Sequence, residues 1–527
     1  MISRKSRSAS IDRQSDIFVE DQSRTTAFLR RAKSYGAKGA VEMLETHVSQ
    51  VFLVADRAYK LKRAVKLPYV DFSSAQLRLE SCEKEVAFNS VTAPKLYLGV
   101  RRITAQKDGL TFDGNGPLVD AVVEMERFDQ DNLLDHMAEQ GKLTPRLMHD
   151  VARTIARFHH AAPVVRGSDK DLGGAANIAG VLDINEAGFA TSHVFGDEEV
   201  ADFNARFRAA LASHAELLDA RAARGRIRRC HGDLHLRNIC LFDGVPTLFD
   251  CIEFNDAIAT VDVLYDLAFL LMDLWHRDLR GFANLVANRY LDGMDDDDGF
   301  ALLPFFMAVR AAVRAHVTAT QIEEGGGDSD RLVQSARAYF ELAKQLLQPH
   351  PARVIAIGGL SGTGKTTIAE ALAPRIGAPP GARVIESDRV RKAMFKVPVD
   401  QRLGPEAYRS EISKKIYDHL GESAHAIASA GGTVIVDAVF DRPERRETVE
   451  RQAAEARVPF IGIWLEADKN VLRKRVAARM AGPSDATVEI LELQLARDID
   501  PLNWTRIDAA KTPEMIADAV MEAVRRA

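Results

Sequence analysis

The stretch that decides the fold of the C-terminal third is Gly359-Leu360-Ser361-Gly362-Thr363-Gly364-Lys365-Thr366. It matches G-x-x-x-x-G-K-[ST], a pattern whose glycines let the backbone curl until several N–H groups point at one anion. The apolar run 354–357 before it predicts a buried strand. Residues 367–373 after it predict a helix that ends before Pro374. Together these elements predict a phosphate-binding loop at the positive end of a helix.

The lysine and the threonine of this loop have separate expected tasks. Lys365 is expected to reach the β- and γ-phosphates of a nucleoside triphosphate, and Thr366 to offer its hydroxyl to Mg²⁺. A glycine-rich turn without a ligand is the alternative, which the flanking strand and helix disfavour. The expected ATP-binding residues of this loop are Gly359, Ser361, Gly362, Thr363, Gly364, Lys365, Thr366 and Thr367.

Composition narrows the class of protein. A chain of 527 residues is long enough for about two to four domains. The net charge of −5 disfavours a dedicated nucleic-acid-binding protein. The four cysteines form no C-x-x-C pair, which fits a reducing cytosol. No run approaches the length of apolar sequence that spans a bilayer, so we expect a cytoplasmic protein without a membrane partner.

The hydrophobic pattern changes period along the chain and indicates two domains. A helix is predicted over 25–45, followed by strands over 48–54 and 58–67 that belong to a small β-rich lobe. Later residues are mainly helical up to a Pro-rich break, after which strands alternate with helices, as in a parallel α/β sheet. The predicted segments are a disordered tail (1–24), one bilobal domain (25–348, with a small lobe at about 40–126 and a large lobe at about 127–348), a linker (349–352) and a second domain (353–527).

A second informative octet lies in the first domain: His231-Gly232-Asp233-Leu234-His235-Leu236-Arg237-Asn238. Asp250 follows at the end of the apolar run 247–249. An Asp, an Asn five residues later and a second Asp on the next strand suit phosphoryl transfer. One carboxylate orients a hydroxyl, and the other two groups hold Mg²⁺. Alternatives are a set of turn residues, or a zinc site built on His231 and His235.

This octet resembles the aminoglycoside phosphotransferase and choline kinase branch of the kinase-like fold, whose loop reads H-G-D-x-H-x-x-N. The resemblance implies that Asp233 is the catalytic base and that Asn238 and Asp250 are metal ligands. It also likens residues 122–126 to the hinge between the two lobes, where the backbone around Met125 would meet adenine. Residues 262–268 resemble the start of the helix that follows the metal-binding strand.

The lysine that would anchor ATP is less well defined. Lys60 and Lys62 point to the same face of one predicted strand, and Lys60 is favoured. Its partner on the inserted helix is Glu83 or Glu85, and Glu85 is favoured. Residues 45–49 contain no glycine-rich loop. A kinase-like domain that binds ATP without turning it over is therefore kept as an alternative.

The second domain resembles small P-loop kinases of the gluconate-kinase-like, polynucleotide-kinase-like and zeta-toxin-like groups. The resemblance implies that Asp388 contacts or deprotonates the acceptor hydroxyl, that Arg391 binds the substrate, and that the lid residues Arg475 and Arg479 stabilise the transferred phosphoryl group. Asp437 ends a predicted buried strand and is the expected acid on the metal side. A helix cap at Asp388 and a solvated helix face for the two lid arginines are the alternatives.

Both domains together resemble a bacterial two-part family. The predicted fold is an α+β bilobal kinase-like domain followed by an α/β P-loop NTPase domain with a parallel sheet. The expected function is a bifunctional phosphotransferase that moves the γ-phosphoryl of ATP, with Mg²⁺, to hydroxyls of small molecules. A regulatory ATP-binding protein, a polynucleotide kinase and a motor or switch ATPase are the alternatives. A nucleic-acid substrate is thus left open but not favoured, and the sequence does not specify the oligomeric state.

Overall fold

The computed structural model describes residues 20–46, 48–67, 70–165, 174–323, 329–478, 484–497 and 503–526. The small lobe is a six-stranded antiparallel sheet in the order β1-β2-β3-β8-β6-β7. Its elements are α1 (Ser23–Leu29), β1 (Glu42–Glu45), β2 (Ser49–Val54), β3 (Arg57–Lys62), β4 (Lys66–Leu67), β5 (Val70–Asp71), α2 (Ala75–Thr92), β6 (Tyr97–Gln106), β7 (Gly109–Phe112) and β8 (Leu118–Glu126).

The alternation of β3 divides its side chains between the two faces of this sheet. Tyr59 and Leu61 pack in an apolar cluster with residues of α1. Lys60 and Lys62 lie on the opposite face, toward α2, as the period of a strand requires. The sequence placed both lysines on one face, and the structure confirms it.

Two predictions near the N-terminus are wrong. The helix predicted over 25–45 ends at Leu29, because residues 42–45 pair with 50–53 as β1. The tail predicted over 1–24 is too long, since α1 begins at Ser23. Gln22 is also fixed to the lobe, because its Nε2 donates to Asp120 Oδ2 at 2.9 Å. Residues 1–19 lie outside the described part.

The large lobe is mainly helical. Its buried residues form one apolar cluster that includes most of α8. Its elements are α3 (Leu134–Glu139), α4 (Pro145–Ala161), α5 (Gly174–Ala190), α6 (Asp197–Ala223), β9 (Ile227–Arg229), β10 (Ile239–Phe242), β11 (Val245–Leu248), α7 (Asp256–Ala259), β12 (Thr260–Asp262), α8 (Val263–His276), α9 (Arg280–Met294), α10 (Leu303–Glu323) and α11 (Ser329–Leu346).

In the described part of the chain, one helical stretch has the length and composition of a membrane span. It is Asp297–Glu323, which contains α10, and 72% of its most apolar window is buried inside the protein. It packs against α8 and α11. Its apolar character is therefore accounted for by the core of the large lobe.

The C-terminal part is a five-stranded parallel sheet in the order β14-β15-β13-β16-β17, with helices on both faces. Its elements are β13 (Val354–Gly359), α12 (Lys365–Leu372), β14 (Arg383–Glu386), α13 (Ser387–Met394), α14 (Ser410–Ser429), β15 (Val434–Asp437), α15 (Pro443–Glu455), β16 (Phe460–Glu466), α16 (Lys469–Ala477), α17 (Val488–Leu495), β17 (Thr505–Asp508) and α18 (Pro513–Arg526).

The two halves are joined along the edge strand β14. Asn288 of α9 accepts the Val384 N–H through Oδ1 at 2.7 Å, and Asn284 Nδ2 donates to Ala382 O at 3.0 Å. Arg289 of the same helix reaches Glu386 Oε1 at 2.8 Å through Nη2. One apolar cluster also contains residues of both halves. The large lobe and the C-terminal part therefore pack together through polar contacts and a shared apolar cluster.

Candidate active sites

The first candidate site lies between the two lobes and is organised by Lys60. Its Nζ is 2.9 Å from Glu85 Oε1 on α2 and 2.5 Å from Asp250 Oδ1 in the large lobe. Glu83, the alternative partner, is exposed, whereas the side chain of Glu85 is 0% exposed. The structure thus brings together the favoured lysine, the favoured glutamate and the strand-ending aspartate.

Lys62 forms the second half of the same network. Its Nζ is 2.6 Å from Glu85 Oε2 and also contacts Glu253. Burial alone would raise the pKa of Glu85, but the ammonium groups of Lys60 and Lys62 lower that pKa to about 2. Glu85 is therefore ionised at neutral pH and holds both lysines from the helix side.

Asp233 lies on the loop before β10 and faces the same cleft. Asn238 Nδ2 donates to both its backbone O and its Oδ2, each at 2.9 Å. His235 Nε2 lies 3.3 Å from Oδ2. Burial raises the pKa of Asp233, but His235 and Arg314 outweigh it and hold that pKa well below its usual range. A carboxylate with so low a pKa is a weak base. It is therefore suited to orienting a hydroxyl rather than to removing the hydroxyl proton early in a reaction.

The loop that carries Asp233 is held by Asp266 of α8. The Asp266 carboxylate accepts the N–H of His231 at 3.2 Å and the N–H of Gly232 at 2.8 Å. Gly232 has φ of +84°, and a Cβ there would lie 3.1 Å from Ile252. The left-handed backbone conformation and the close approach of Ile252 together explain why this position is a glycine.

His231 has a structural place rather than a metal-binding one. Its Nε2 lies 2.9 Å from Phe249 O, and the Asp233 N–H donates to its Nδ1 at 3.4 Å. Within the described residues, three ligating side chains converge only at His159, Cys230 and Asp266. There the His159 ring already bonds Asp266 and Tyr290. The zinc alternative for His231 and His235 therefore lacks a third ligand.

The cleft of about 620 Å³ that contains these groups is also lined by apolar residues, among them Met125 of β8, Leu53 and Phe128. Apolar lining beside the strand predicted as the hinge suits a purine ring. On the roof, the turn between β1 and β2 closes through Thr46, whose N–H donates to Ser49 O at 2.8 Å. Residues 45–49, which span this turn, contain no glycine.

The donor set of the first site fits a hard divalent cation. Asp250 is 41% exposed toward the cleft, and its N–H donates to Tyr97 Oη. Asn238 uses Nδ2 for Asp233, which leaves the amide oxygen as its ligating atom. Carboxylate and amide oxygens are ligands that Mg²⁺ prefers. Asn238 and Asp250 would hold it.

The second candidate site is the loop between β13 and α12. Thr366 Oγ1 donates to Asp437 Oδ2 at 2.5 Å, and Lys365 Nζ donates to Leu360 O at 3.3 Å. Burial, with the charges of Glu386 and Asp388, raises the pKa of Asp437 to about 7, although Lys365 opposes the shift. A hydroxyl beside a carboxylate is also an oxygen pair for Mg²⁺.

The phosphate loop is braced from outside. Its curl places Gly359 at φ of +145°, with Leu465 O only 2.6 Å from where a Cβ would stand. Gln494 of α17 accepts the Ser361 N–H through Oε1 at 2.9 Å. Ser361 and Thr363 are buried, and Thr367 is exposed in the first turn of α12. All eight residues predicted for the loop therefore lie in one continuous segment, from the carboxyl end of β13 to the first turn of α12.

Asp388 and Arg391 share one face of α13, near the second site. Burial raises the pKa of Asp388, which Lys365 and a hydrogen bond from Ser484 oppose. Arg391 donates through Nη1 to Ala407 O at 2.5 Å, and its guanidinium carbon lies 4.8 Å from the Tyr408 ring centroid. Its Nε is buried and makes no hydrogen bond to the described residues. A substrate-binding role for Arg391 stays a prediction.

The structure describes only one of the two predicted lid arginines. Arg475 is exposed on α16 and donates through Nη1 to Ala509 O at 2.8 Å, after the end of β17. Arg479 lies outside the described residues. The face of α16 that packs on the phosphate loop carries Leu472 and Val476, both close to Gly362. A phosphoryl-stabilising role for either arginine stays a prediction.

Sequence reasoning missed several supporting residues. Glu253 follows Asp250 by three positions, so its spacing was a usable signal. Asp266 lies in the quoted 262–268 segment, yet only the fold shows that it binds the catalytic loop. Gln494 and Arg289 carry no local signal, because their partners are 133 and 97 residues away.

Comparisons with known proteins agree with this geometry. The model of the phosphotransferase enzyme family matches residues 19–303, and a model described as an AAA domain matches residues 354–498. An uncharacterized protein of Mycobacterium tuberculosis is 29% identical over 481 residues, which cover 89% of this chain and 92% of that protein. Shikimate kinase of Caulobacter vibrioides is 27% identical over 190 residues, which cover 34% of this chain and 86% of that enzyme.

Among solved structures, a choline/ethanolamine kinase family protein from Mesorhizobium loti is 14% identical to this chain. The matched region covers 59% of this chain and 90% of that protein's chain, with a TM-score of 0.39. The family match itself spans more than half of the 527 residues. The predicted fold, a bilobal kinase-like domain followed by a P-loop domain with a parallel sheet, is confirmed. The chain therefore belongs to the phosphotransferase enzyme family and continues into a P-loop kinase-like AAA domain.

Proposed function

We propose that this protein is an ATP-dependent phosphotransferase with two nucleotide sites, each of which phosphorylates a hydroxyl of a small molecule. The observation that carries the proposal is the first cleft. Lys60, held by Glu85 and Asp250, stands across the cleft from Asp233, which Asn238 positions. A cation for the phosphates and an oriented carboxylate for the acceptor are what phosphoryl transfer requires.

The proposed reaction at the first site is a single in-line displacement. The acceptor oxygen forms a bond to the γ-phosphorus while the bond from that phosphorus to the β,γ-bridging oxygen breaks. ADP leaves with the electron pair, and the Asp233 carboxylate receives the hydroxyl proton. Mg²⁺ bound by Asn238 and Asp250 would neutralise phosphate charge.

At the second site Lys365 and the loop N–H groups would bind the phosphates, and Asp388 would orient the acceptor. Relatives of this part named shikimate kinase and adenylyl-sulfate kinase support a small-molecule kinase over a motor or switch. We place both reactions in the cytoplasm, where ATP is abundant. The four cysteines are unpaired thiols, as in a reducing compartment.

The test uses the full-length chain and γ-labelled ATP with a library of hydroxylated metabolites and a 5′-hydroxyl oligonucleotide. Asp233→Asn, Lys365→Ala and the double variant are compared with wild type. We expect each single variant to lose a different product by about 100-fold or more, and the double variant to lose both.

A regulatory protein with a non-catalytic first domain is the second candidate, and the short turn at Thr46 in place of a glycine-rich loop favours it. It predicts that Asp233→Asn changes no product while Lys365→Ala removes all of them. Labelling of the oligonucleotide that Asp388→Asn abolishes would instead identify a polynucleotide kinase.

A further inference from the structure

The inner wall of the first cleft is formed by α10, which contributes two arginines one turn apart. Arg310 and Arg314 both line the cavity that contains Asp233. A chain of contacts links Arg310 to the Asp233 carboxylate: His235 Nε2 lies 3.3 Å from that carboxylate, the His235 ring is 5.1 Å from the Phe269 ring, and the Arg310 guanidinium carbon is 4.7 Å from the Phe269 ring. This wall therefore borders the position of the acceptor.

Neither arginine makes a hydrogen-bonded ion pair with a carboxylate of the described residues, and only Arg310 has a carboxylate within 4.0 Å. Arg310 is 4% exposed, and its Nη2 makes no hydrogen bond to the described residues, with Asp266 Oδ1 at 3.7 Å. Arg314 has no carboxylate within 4.0 Å among the described residues, and its guanidinium carbon lies 5.6 Å from the Tyr339 ring. The neighbouring Arg277, by contrast, pairs with Asp273 at 2.9 Å.

The acidic groups that line the cleft are already paired with cations of the small lobe. Asp250 contacts Lys60, Glu253 contacts Lys62, and Glu126 contacts Arg57. Asp233 is thus the one lining carboxylate of the described residues without a Lys or Arg partner. An amine-bearing acceptor would therefore meet two guanidinium groups and, apart from Asp233 itself, no carboxylate of the described lining residues that lacks a Lys or Arg partner.

Two other glutamates of the large lobe could attract a polycationic acceptor only if their charge were unpaired and faced the cleft. Glu186 pairs with Arg208 at 2.7 Å, and Glu199 pairs with Arg337 at 2.7 Å. Neither glutamate is among the residues that line the cleft. Their negative charge is already balanced by these arginines on the outer surface of the large lobe.

We propose that the acceptor of the first site is a hydroxyl compound that also carries an anionic group, a carboxylate or a phosphate monoester, which Arg314 binds with Arg310 behind it. A planar guanidinium matches either anion with two parallel hydrogen bonds. Binding an anion would also compensate a cation that the fold leaves half-buried without a carboxylate partner. This inference rests on the proposed phosphotransferase function and names its substrate class.

The first arm compares acceptors that share one skeleton and differ in charge: glucose, glucosamine, glucuronate and glucose 6-phosphate. The enzyme is the full-length Lys365→Ala variant, so that only the first site turns over. We expect kcat/KM to be highest for an anionic member, and the ratio of the last two distinguishes carboxylate from phosphate. Preference for glucose or glucosamine overturns the proposal while leaving the phosphotransferase function intact.

The second arm changes the charge of the wall. Arg314→Ala should raise the KM for the anionic acceptor by about 10- to 100-fold, Arg314→Lys should restore part of it, and Arg314→Glu should shift preference toward glucosamine. Arg206→Glu, on the exposed face of α6, is the matched control and should leave these KM values unchanged. An increase confined to the KM for ATP would assign Arg314 to nucleotide binding and overturn the proposal.

A binding measurement keeps the inference testable if no acceptor turns over. Glucuronate and glucose 6-phosphate are titrated calorimetrically into the same full-length protein saturated with a non-hydrolysable ATP analogue. Binding of either that Arg314→Ala removes supports the anion site even where the proposed activity fails. No heat from either probe, with no turnover of an anionic acceptor, refutes it.

Discussion

The two candidate sites of this chain differ in what forms them: side chains from distant parts of the chain form the first, and the backbone of one short segment forms most of the second. At the first, side-chain charges from three parts of the fold meet: Lys60 and Lys62 from β3, Glu85 from α2, and Asp250 beyond β11. At the second, the backbone of one continuous octet curls at the end of β13, and a hydrogen bond from Thr366 to Asp437 brings in a carboxylate from β15. The first site depends on charge balance between lobes, whereas the second depends on backbone conformation.

The sharpest test of this difference removes one charge from the first site. Glu85→Gln leaves two buried lysines with one fewer carboxylate, so we expect a loss of about 3–5 kcal/mol in the free energy of unfolding. The measurement is urea denaturation followed by tryptophan fluorescence. The exposed pair Lys66–Asp71 is the matched control, and Asp71→Asn should change the free energy of unfolding far less than Glu85→Gln. Equal effects of the two variants would show that burial does not set the importance of the network.

The second site should respond to pH through Asp437. Its folded-state pKa of about 7 exceeds the usual 3.8, so the folded protein binds a proton more tightly than the unfolded chain. The stability of the metal-free protein should therefore fall as pH rises from the unfolded pKa to about 7, by on the order of 4 kcal/mol. Asp437→Asn should remove this slope in urea titrations at several pH values. A slope unchanged in the variant would contradict the assignment.

Backbone conformation should matter most at Gly359. A Cβ there would lie 2.6 Å from Leu465 O at a φ of +145°. Gly359→Ala should therefore weaken nucleotide binding at the second site by about 100-fold and reduce the count of ATP-analogue sites in calorimetry from two to one. Gly141→Ala, with φ of +66° and open space around the Cβ, controls for backbone strain alone. If Gly359→Ala still bound the ATP analogue at two sites, the claim that the second site depends on backbone conformation would be wrong.

A smaller effect is expected from the brace of the loop. Gln494→Ala removes the acceptor of the buried Ser361 N–H and should cost about 1–3 kcal/mol of local stability. Nucleotide affinity at the second site should fall about 5-fold, within the range of a supporting contact. Gln76→Ala, exposed on α2, is the control. Hydrogen exchange of the loop amides follows the change directly.

The sequence predicted the curl of the phosphate loop at the second site because its residues are contiguous and the P-loop pattern encodes its own geometry, whereas the roles of Asp388, Arg391, Arg475 and Arg479 stay predictions. The first site was predicted in part. Asp233, Asn238 and Asp250 follow one spacing, but the choice of Lys60 and Glu85 depends on how β3 and α2 pack. The sharing of Glu85 by two lysines could not be read from the chain, since alternation only places Lys60 and Lys62 on one face. Gln494 and Arg289 belong to no motif, because their partners are distant in sequence.

The contact between α9 and β14 has a consequence for dissection of the protein. β14 is an edge strand, and in the intact chain Asn284 and Asn288 occupy its outer polar groups at Ala382 and Val384. A C-terminal fragment that begins near residue 350 would expose these groups, together with the apolar surface that α9 covers. Open edges of this kind pair with other chains, so such a fragment should self-associate through β14. Aggregation of that fragment would therefore reflect a lost neighbour, not an unstable P-loop fold.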